Sequence, residues 1–154
     1  MPIISGGSGG GGPSSPGFEI GYDQITSPVN VASTTQATPT SIISCAAHTF
    51  DGAAVLLTVY FPYVENGSAA VASVFFNLFE GATNLGVMGE LGLAAGTLQI
   101  LTTAAALFRF TPTAGSHTYT ISAWANSTTG TPQMGAGAGG TGNFMPAFAR
   151  FTKV

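Results

Sequence analysis

Residues 135–140, Gly-Ala-Gly-Ala-Gly-Gly, have the G-x-G-x-x-G spacing of a dinucleotide-binding loop. Such a loop holds a pyrophosphate only where a strand leads into it and the N-terminus of a helix follows it. Here the tetrapeptide Asn-Phe-Met-Pro (143–146) follows, and then a strand-like run. The segment therefore predicts a loop between the last two strands, and no cofactor-binding residue is assigned to it.

Nucleophilic catalysis has equally little support in the sequence. Ser8 lies in a G-x-S-x-G pattern, but that pattern functions on a strained strand-to-helix turn with a histidine base nearby, whereas Ser8 lies in a glycine-rich stretch. The two histidines, His48 and His117, would need a carboxylate on one side and an activated hydroxyl on the other to form a triad. We interpret both as turn or rim residues. Together with the single Cys45 they lack the spacing of a zinc site.

Paired carboxylates can hydrolyse a glycosidic bond, and spatial pairing of the six acidic residues cannot be read from the sequence. Most of them lie at predicted strand ends or turns, where solvated carboxylates are common. Cys45 lies in the apolar run 41–47, which predicts a small buried hydrophobe, and a single cysteine forms no internal disulfide. We expect a non-enzymatic protein without catalytic residues, cofactor or metal.

The composition narrows the classes of partner. Charged residues make up 6% of the chain, against roughly 25% in an ordinary domain. Three basic residues and a net charge of −3 provide no patch that neutralises phosphates, so we expect no nucleic acid. No apolar run reaches the ~18 residues of a membrane-spanning helix, and no secretory signal pattern opens the chain, so we expect no membrane insertion. A weakly charged polar surface repels its neighbours little and favours self-association.

The elements that must position any site are short strands. Residues 1–17 are rich in Gly, Ser and Pro and can bury almost no surface, which predicts an arm preceding a domain at 18–154. Beyond Phe18, period-2 runs of β-branched and aromatic residues alternate with turn signals. They lie at 18–26, 29–33, 40–46, 53–61, 70–80, 85–93, 97–111, 117–126 and 144–153. Only residues 94–106 could instead form a helix. Eight to ten strands at this spacing predict an all-β fold, an antiparallel jelly-roll sandwich.

Three of the predicted strands, 53–61, 70–80 and 144–153, are apolar on both faces. A monomeric two-sheet sandwich needs apolar side chains only on its inner faces, so a second apolar face must meet another layer or another subunit. We therefore predict a homo-oligomer. Its candidate interface residues are the large side chains of these strands: Tyr60, Phe75, Phe79, Phe148 and Phe151.

Three segments together resemble a module of tailed phages of actinobacteria and related hosts. They are 19–31 (EIGYDQITSPVNV), 109–124 (RFTPTAGSHTYTISAW), and the glycine loop 135–142 with the MPAFARFTK that closes at 153. Such modules occur in virion proteins of the capsid decoration or minor tail protein type and look like the trimeric jelly roll of the tumour necrosis factor (TNF) and complement proteins. The resemblance covers residues 18–154 and implies a compact homotrimer.

The expected function follows from the resemblance and the short arm. We expect a trimeric decoration or head-fibre protein, made in the bacterial cytoplasm and located on the virion surface. The arm would dock each trimer onto the major capsid protein or other virion proteins, and its candidate anchoring residues are Pro2, Ile3, Ile4, Pro13 and Pro16. The alternative is a receptor-binding head at a tail tip or tail fibre, with Thr-rich outward faces that touch host-surface glycans.

Overall fold

The computed structural model describes residues 15–66, 71–93 and 102–154, and within these segments the chain forms ten strands. They are β1 (Glu19–Ile25), β2 (Val29–Asn30), β3 (Thr40–Asp51), β4 (Val55–Glu65), β5 (Ala72–Glu80), β6 (Thr83–Leu93), β7 (Thr102–Phe110), β8 (Ala114–Ala125), β9 (Gln133–Met134) and β10 (Ala147–Lys153). In the part of the chain so described, no helix is long and apolar enough to cross a membrane.

The eight longer strands form two four-stranded antiparallel sheets. The first sheet has the order β1–β10–β4–β7 and the second the order β3–β8–β5–β6. The short strands β2 and β9 continue the first sheet beyond the end of β10, where β9 pairs with the last residues of β4. The chain thus passes repeatedly between the sheets and lays its last strand beside its first, which is the double Greek key of a jelly roll. The predicted fold class is confirmed.

Alternation along each strand produces one core between the two sheets. On β4, Val55, Leu57 and Val59 point inward and are fully buried, while Leu56 and Tyr60 point away from the core. On β5, Val74, Phe76 and Leu78 face inward in the same way. Each side chain of this size contributes about 1.5–3 kcal/mol when it is fully buried. The inward faces of the strands alone therefore provide a complete core.

The ends of several strands differ from the prediction, because pairing with neighbouring strands decides where these strands end and local composition does not. Strand β4 continues through Pro62, because the register shifts between Phe61 and Val64 and a proline is tolerated at such an irregularity. Strand β6 begins at Thr83, two residues before the predicted run 85–93, and the turn lies at Gly81, whose φ of 56° suits glycine. The helical reading of 94–106 is wrong for its described part, since 102–106 belongs to β7; residues 94–101 lie outside the described segments.

Candidate interaction surfaces

The outer face of the first sheet carries a row of stacked aromatic rings. Tyr22 of β1 stacks on Phe148 of β10 with ring centroids 5.4 Å apart, and Phe148 stacks on Tyr60 of β4 at 5.5 Å. Tyr22 is 44% exposed, and Leu107 of β7, on the same face, is 68% exposed. We call this surface, defined by Tyr22, Tyr60, Leu107 and Phe148, the first-sheet face.

Strand register brings these side chains together. Phe148 lies directly opposite Tyr60, and Leu107 lies opposite Thr58, one outward position further along β4. Arg150 is opposite both Tyr22 and Thr58 and is exposed, so it lies on the same face of the sheet as the aromatic rings. The sequence analysis named Tyr60 and Phe148 as interface candidates, and both lie on this outer face. It did not indicate Tyr22 or Leu107, because the runs around them show no second apolar face by themselves.

The outer face of the second sheet carries a different aromatic pair. Phe75 of β5 and Trp124 of β8 are cross-strand neighbours whose rings stack at 4.1 Å and are inclined by only 9°. The indole Nε1–H donates to Oδ1 of Asn77 at 3.1 Å, and Asn77, which is fully buried, is 3.4 Å from Oδ1 of Asn84 through its amide nitrogen. We call the surface formed by the outward residues of β5 and β8 the second-sheet face.

The five predicted interface residues do not form one surface, and this corrects the prediction. Tyr60 and Phe148 lie on the first-sheet face, whereas Phe75 and Phe79 lie on the second-sheet face, on the opposite side of the sandwich. Phe151 is fully buried in the core of the subunit. It faces inward because it is an odd number of residues from Phe148 on the same strand, and a one-residue step reverses the side of the sheet.

His48 is not a rim residue. Its Nε2 lies 2.6 Å from Oδ2 of Asp23, and both side chains are largely buried where β1 of the first sheet meets β3 of the second. Oδ1 of Asp23 also accepts a hydrogen bond from the amide of Ala46 at 2.8 Å. Gly21 makes room for the ring, since a Cβ there would lie 2.5 Å from it. The pair ties the two sheets together along this edge of the sandwich.

Cys45 lies beside the same carboxylate but is not an activated nucleophile. Burial, and secondly the negative charge and hydrogen bond of Asp23, raise the pKa of the Cys45 thiol well above its usual range. Only the thiolate reacts as a nucleophile, so this environment suppresses reactivity. The prediction that Cys45 is a small buried side chain is confirmed.

His117 forms a second pair, with Glu80 of β5. Its Nδ1 contacts Oε1 of that carboxylate, and its Nε2 lies 2.9 Å from the carbonyl oxygen of Thr113 and 3.3 Å from the hydroxyl of the same residue. The arrangement resembles a triad in its elements. A carbonyl oxygen can only accept, however, so Nε2 carries the hydrogen and cannot take a proton from the hydroxyl. Lys153 and Asp51 form a third pair, in which the hydrogen bond from Lys153 lowers the pKa of Asp51.

The glycine loop connects β9 to β10 and packs tightly against its neighbours. A Cβ on Gly135 would lie 2.4 Å from the ring of Tyr63, and one on Gly137 would lie 2.2 Å from the carbonyl oxygen of Phe144. The glycines therefore serve close backbone packing, and the segment is the loop that the sequence predicted. Among the described residues, no group of three or more His, Cys, Asp or Glu side chains could hold a metal ion.

The predicted anchoring arm is described only from its end. The amide of Gly17 donates to the carbonyl oxygen of Lys153 at 2.7 Å, so the chain that follows Pro16 joins the edge of β10. Pro2, Ile3, Ile4 and Pro13 lie outside the described residues, as does Ser8. The anchoring role of the five residues Pro2, Ile3, Ile4, Pro13 and Pro16 stays a prediction.

Several solved structures match the fold of this chain. A chain described as Eiger TNF from S. frugiperda matches with a TM-score of 0.44 and 10% sequence identity, over 91% of this chain and 94% of that chain. No family model matches the sequence, and no curated protein matches it. The fold is the antiparallel jelly roll given by the strand order of the two sheets.

Proposed function

We propose that this chain is a non-enzymatic structural protein of a bacteriophage virion. It forms a homotrimer through the first-sheet face and decorates the particle surface, docking on the major capsid protein or another virion protein through its N-terminal arm. The observation that carries the proposal is the row of stacked rings, one exposed and two half-buried, on the outer face of a jelly roll whose core lies between its two sheets.

The row exposes apolar surface that the subunit itself does not cover. An aromatic side chain can bury 150–250 Å² when it is covered, so three stacked rings and an exposed leucine represent a substantial part of a protein–protein contact. Interfaces are enriched in aromatic residues and arginine, and Arg150 stands between Tyr22 and Thr58 on this face. The composition of the first-sheet face is thus that of an interface core.

A threefold ring is formed by a contact between two different patches of each subunit, and we place both patches on the first-sheet face. Subunits that bind head to tail form a ring only if the rotation between the two contact patches closes, and otherwise they form an open filament. The first-sheet and second-sheet faces point in opposite directions, so a contact between them would stack subunits in a line. Packing around a threefold axis through the first-sheet face leaves the second-sheet face on the outside of the particle.

The low charge of the chain supports close association. A net charge of −3 over 154 residues gives weak repulsion between copies. The buried or half-buried carboxylates, Asp23 and Glu80, contact histidines of the same subunit. These pairs tie strands together, which supports a structural role for both histidines. The virion location is supported by the resemblance of residues 18–154 to phage modules.

The trimer contact is tested by a pair of matched charge substitutions. Leu107→Glu places a carboxylate on the first-sheet face, whereas Val87→Glu places one on β6 of the second sheet, where the side chain is also exposed. We expect light scattering to give a trimer for the wild type and for V87E, and a monomer for L107E with an unchanged circular dichroism spectrum. A trimeric L107E, or a monomeric V87E, would contradict the proposed contact.

The virion role is tested on particles. Antibody labelling and quantitative mass spectrometry of purified phage should place the protein on the capsid in multiples of three copies. Deletion of residues 1–16 should leave the trimer intact and remove it from the capsid. Full occupancy by the truncated protein would refute the anchoring role. Label at the tail tip, with loss of adsorption on deletion, would favour the receptor-binding alternative.

A further inference from the structure

We propose that a cleft on the second-sheet face binds an uncharged hexopyranose unit of a glycan. The cleft lies between the loop that connects β2 to β3 and the outward residues of β5 and β8, and its volume is about 380 Å³. Pro39 and Phe79 supply apolar walls, and the hydroxyls of Ser41, Thr120 and Ser122 line the rest. A pyranose ring has the same two kinds of surface, an apolar C–H face and a rim of hydroxyls.

The strand register arranges the second-sheet face as a regular grid. Phe75 lies opposite Trp124, Asn77 opposite Ser122, and Phe79 opposite Thr120. Aromatic rings therefore flank a polar centre, and the rings of Phe75 and Phe79, four residues apart, are about 13 Å from one another along the strand. The cleft at Phe79 takes one sugar unit, and the spacing leaves room for a short linear chain to continue toward Trp124.

The hydroxyls of the cleft suit a ligand that both donates and accepts hydrogen bonds. A serine or threonine hydroxyl can do either, by rotation, and so can a sugar hydroxyl. The hydroxyl of Ser41 lies 3.0 Å from the hydroxyl of Ser44, which is outside the cleft, and either group can donate that hydrogen bond. Phe79 is half-buried on the outer side of the sheet and leaves part of its ring to the cleft.

The charge distribution selects an uncharged ligand. The cleft is lined by no charged residue, and the three basic residues of the chain lie elsewhere. Arg109 and Arg150 are on outward positions of the first sheet, and Lys153 is paired with Asp51. A sialic acid, a uronic acid or a sugar phosphate would find no cation here to compensate its charge.

Trp124 is held in a fixed orientation beside the cleft. Its indole N–H is committed to Asn77, whose amide nitrogen lies 3.4 Å from Asn84, so the ring is set before any ligand arrives. Complete burial of Asn77 costs free energy unless its side chain is hydrogen-bonded. Here the hydrogen bond from Trp124 satisfies Asn77 and also fixes the orientation of the indole ring. A preorganised ring loses little entropy on binding.

This inference does not depend on the proposed trimer, because the two faces are on opposite sides of the subunit. If the first-sheet face is buried in an assembly, the second-sheet face remains exposed, and if the chain is a monomer the cleft is unchanged. Binding at this cleft would give the protein the capacity to hold a particle against a cell surface that displays neutral sugars.

The experiment titrates the full chain with the methyl glycosides of glucose, galactose and mannose, and with maltotriose as a linear probe. The chain has a single tryptophan, so its fluorescence and its indole N–H resonance report directly on the second-sheet face. We expect at least one neutral probe to bind with a Kd on the order of 1 mM. We expect Thr120→Val, which keeps the shape and removes the hydroxyl, to weaken that binding at least tenfold.

Two further variants keep the test decisive. Phe79→Ala should also weaken binding at least tenfold, and T120V covers the case in which F79A does not fold. Thr58→Val makes the same chemical change on the first-sheet face and should leave the Kd unchanged. The proposal is overturned if no neutral probe shifts the indole resonance at tens of millimolar. It is also overturned if T120V binds as the wild type does, or if N-acetylneuraminic acid binds more tightly than every neutral probe.

Discussion

Neighbouring phenylalanines on β10 should respond very differently to truncation, because one lies in the core and the other on the first-sheet face. Phe151 is fully buried and packs against Phe50, Tyr119 and His48, with ring centroids 5.8, 5.3 and 5.6 Å away. Replacing a buried phenylalanine by alanine removes its transfer free energy and leaves a cavity, at a cost of about 3–5 kcal/mol. A domain of this size loses about 2–4 °C in Tm per kcal/mol. We therefore expect Phe151→Ala to lower Tm by about 6–20 °C.

Phe148→Ala is the matched control. Phe148 is half-buried and is stacked between Tyr22 and Tyr60, so its removal loses two exposed aromatic pairs and costs about 1–2 kcal/mol in the isolated subunit. Both substitutions should be compared by thermal and urea unfolding in an L107E background, so that assembly does not contribute. Equal losses of stability in the two variants, or a larger loss in F148A, would refute the assignment of one ring to the core and the other to the surface.

Three smaller predictions test the interior and the glycine loop. Burial, and secondly Glu80, raise the pKa of Tyr119 to about 12, so an absorbance titration should show a tyrosine that ionises near pH 12, and its contribution to stability, complete below pH 10, should be lost as the pH rises toward 12. Cys45 should resist a thiol reagent in the folded protein at pH 8 and react fully in urea, and fast labelling of the native state would contradict its burial. Gly137→Ala should lower Tm by several degrees because its Cβ would meet the carbonyl of Phe144, while Gly92→Ala, where there is open space, should change Tm little.

The fold could be predicted from the sequence because the apolar side chains of a jelly roll alternate between the two faces of each strand. The inward residues Leu57 and Phe76 and the outward residues Tyr60 and Phe75 were all separated correctly by a period of two, and the turn at Gly52, with a φ of 85°, lies where Asp-Gly predicted it. Strand β2 covers the first two residues of the predicted run 29–33, whereas β9 was not predicted, since a two-residue pairing depends on a distant partner and leaves no periodic signal.

The candidate surfaces were predictable only in part. Alternation shows that Phe148 and Phe151 lie on opposite faces of a strand, but it cannot say which face meets the core when both are aromatic. That choice depends on what the opposing sheet presents, and here Phe50 and Tyr119 of the second sheet face Phe151. The pairing of aromatic residues on the second-sheet face could not be predicted either, because it depends on the register of β5 against β8. That register places Trp124 beside Phe75, 49 residues away in the sequence.

The histidine pairs show a further limit of sequence reasoning. The carboxylate nearest to His48 in the sequence is Asp51, three residues away, yet the partner of His48 is Asp23 on another strand. His117 likewise meets Glu80, 37 residues earlier in the chain. Such pairs arise where edges of the two sheets or neighbouring strands come together, and only the strand order reveals them.

The proposed trimer requires that the aromatic row of the first-sheet face is covered by further copies of the same chain. Sedimentation equilibrium of the full-length protein over a micromolar concentration series measures this directly. A homotrimer should give a single species with three times the 15.4 kDa mass of one chain. A stable species of 15.4 kDa throughout the series would contradict it.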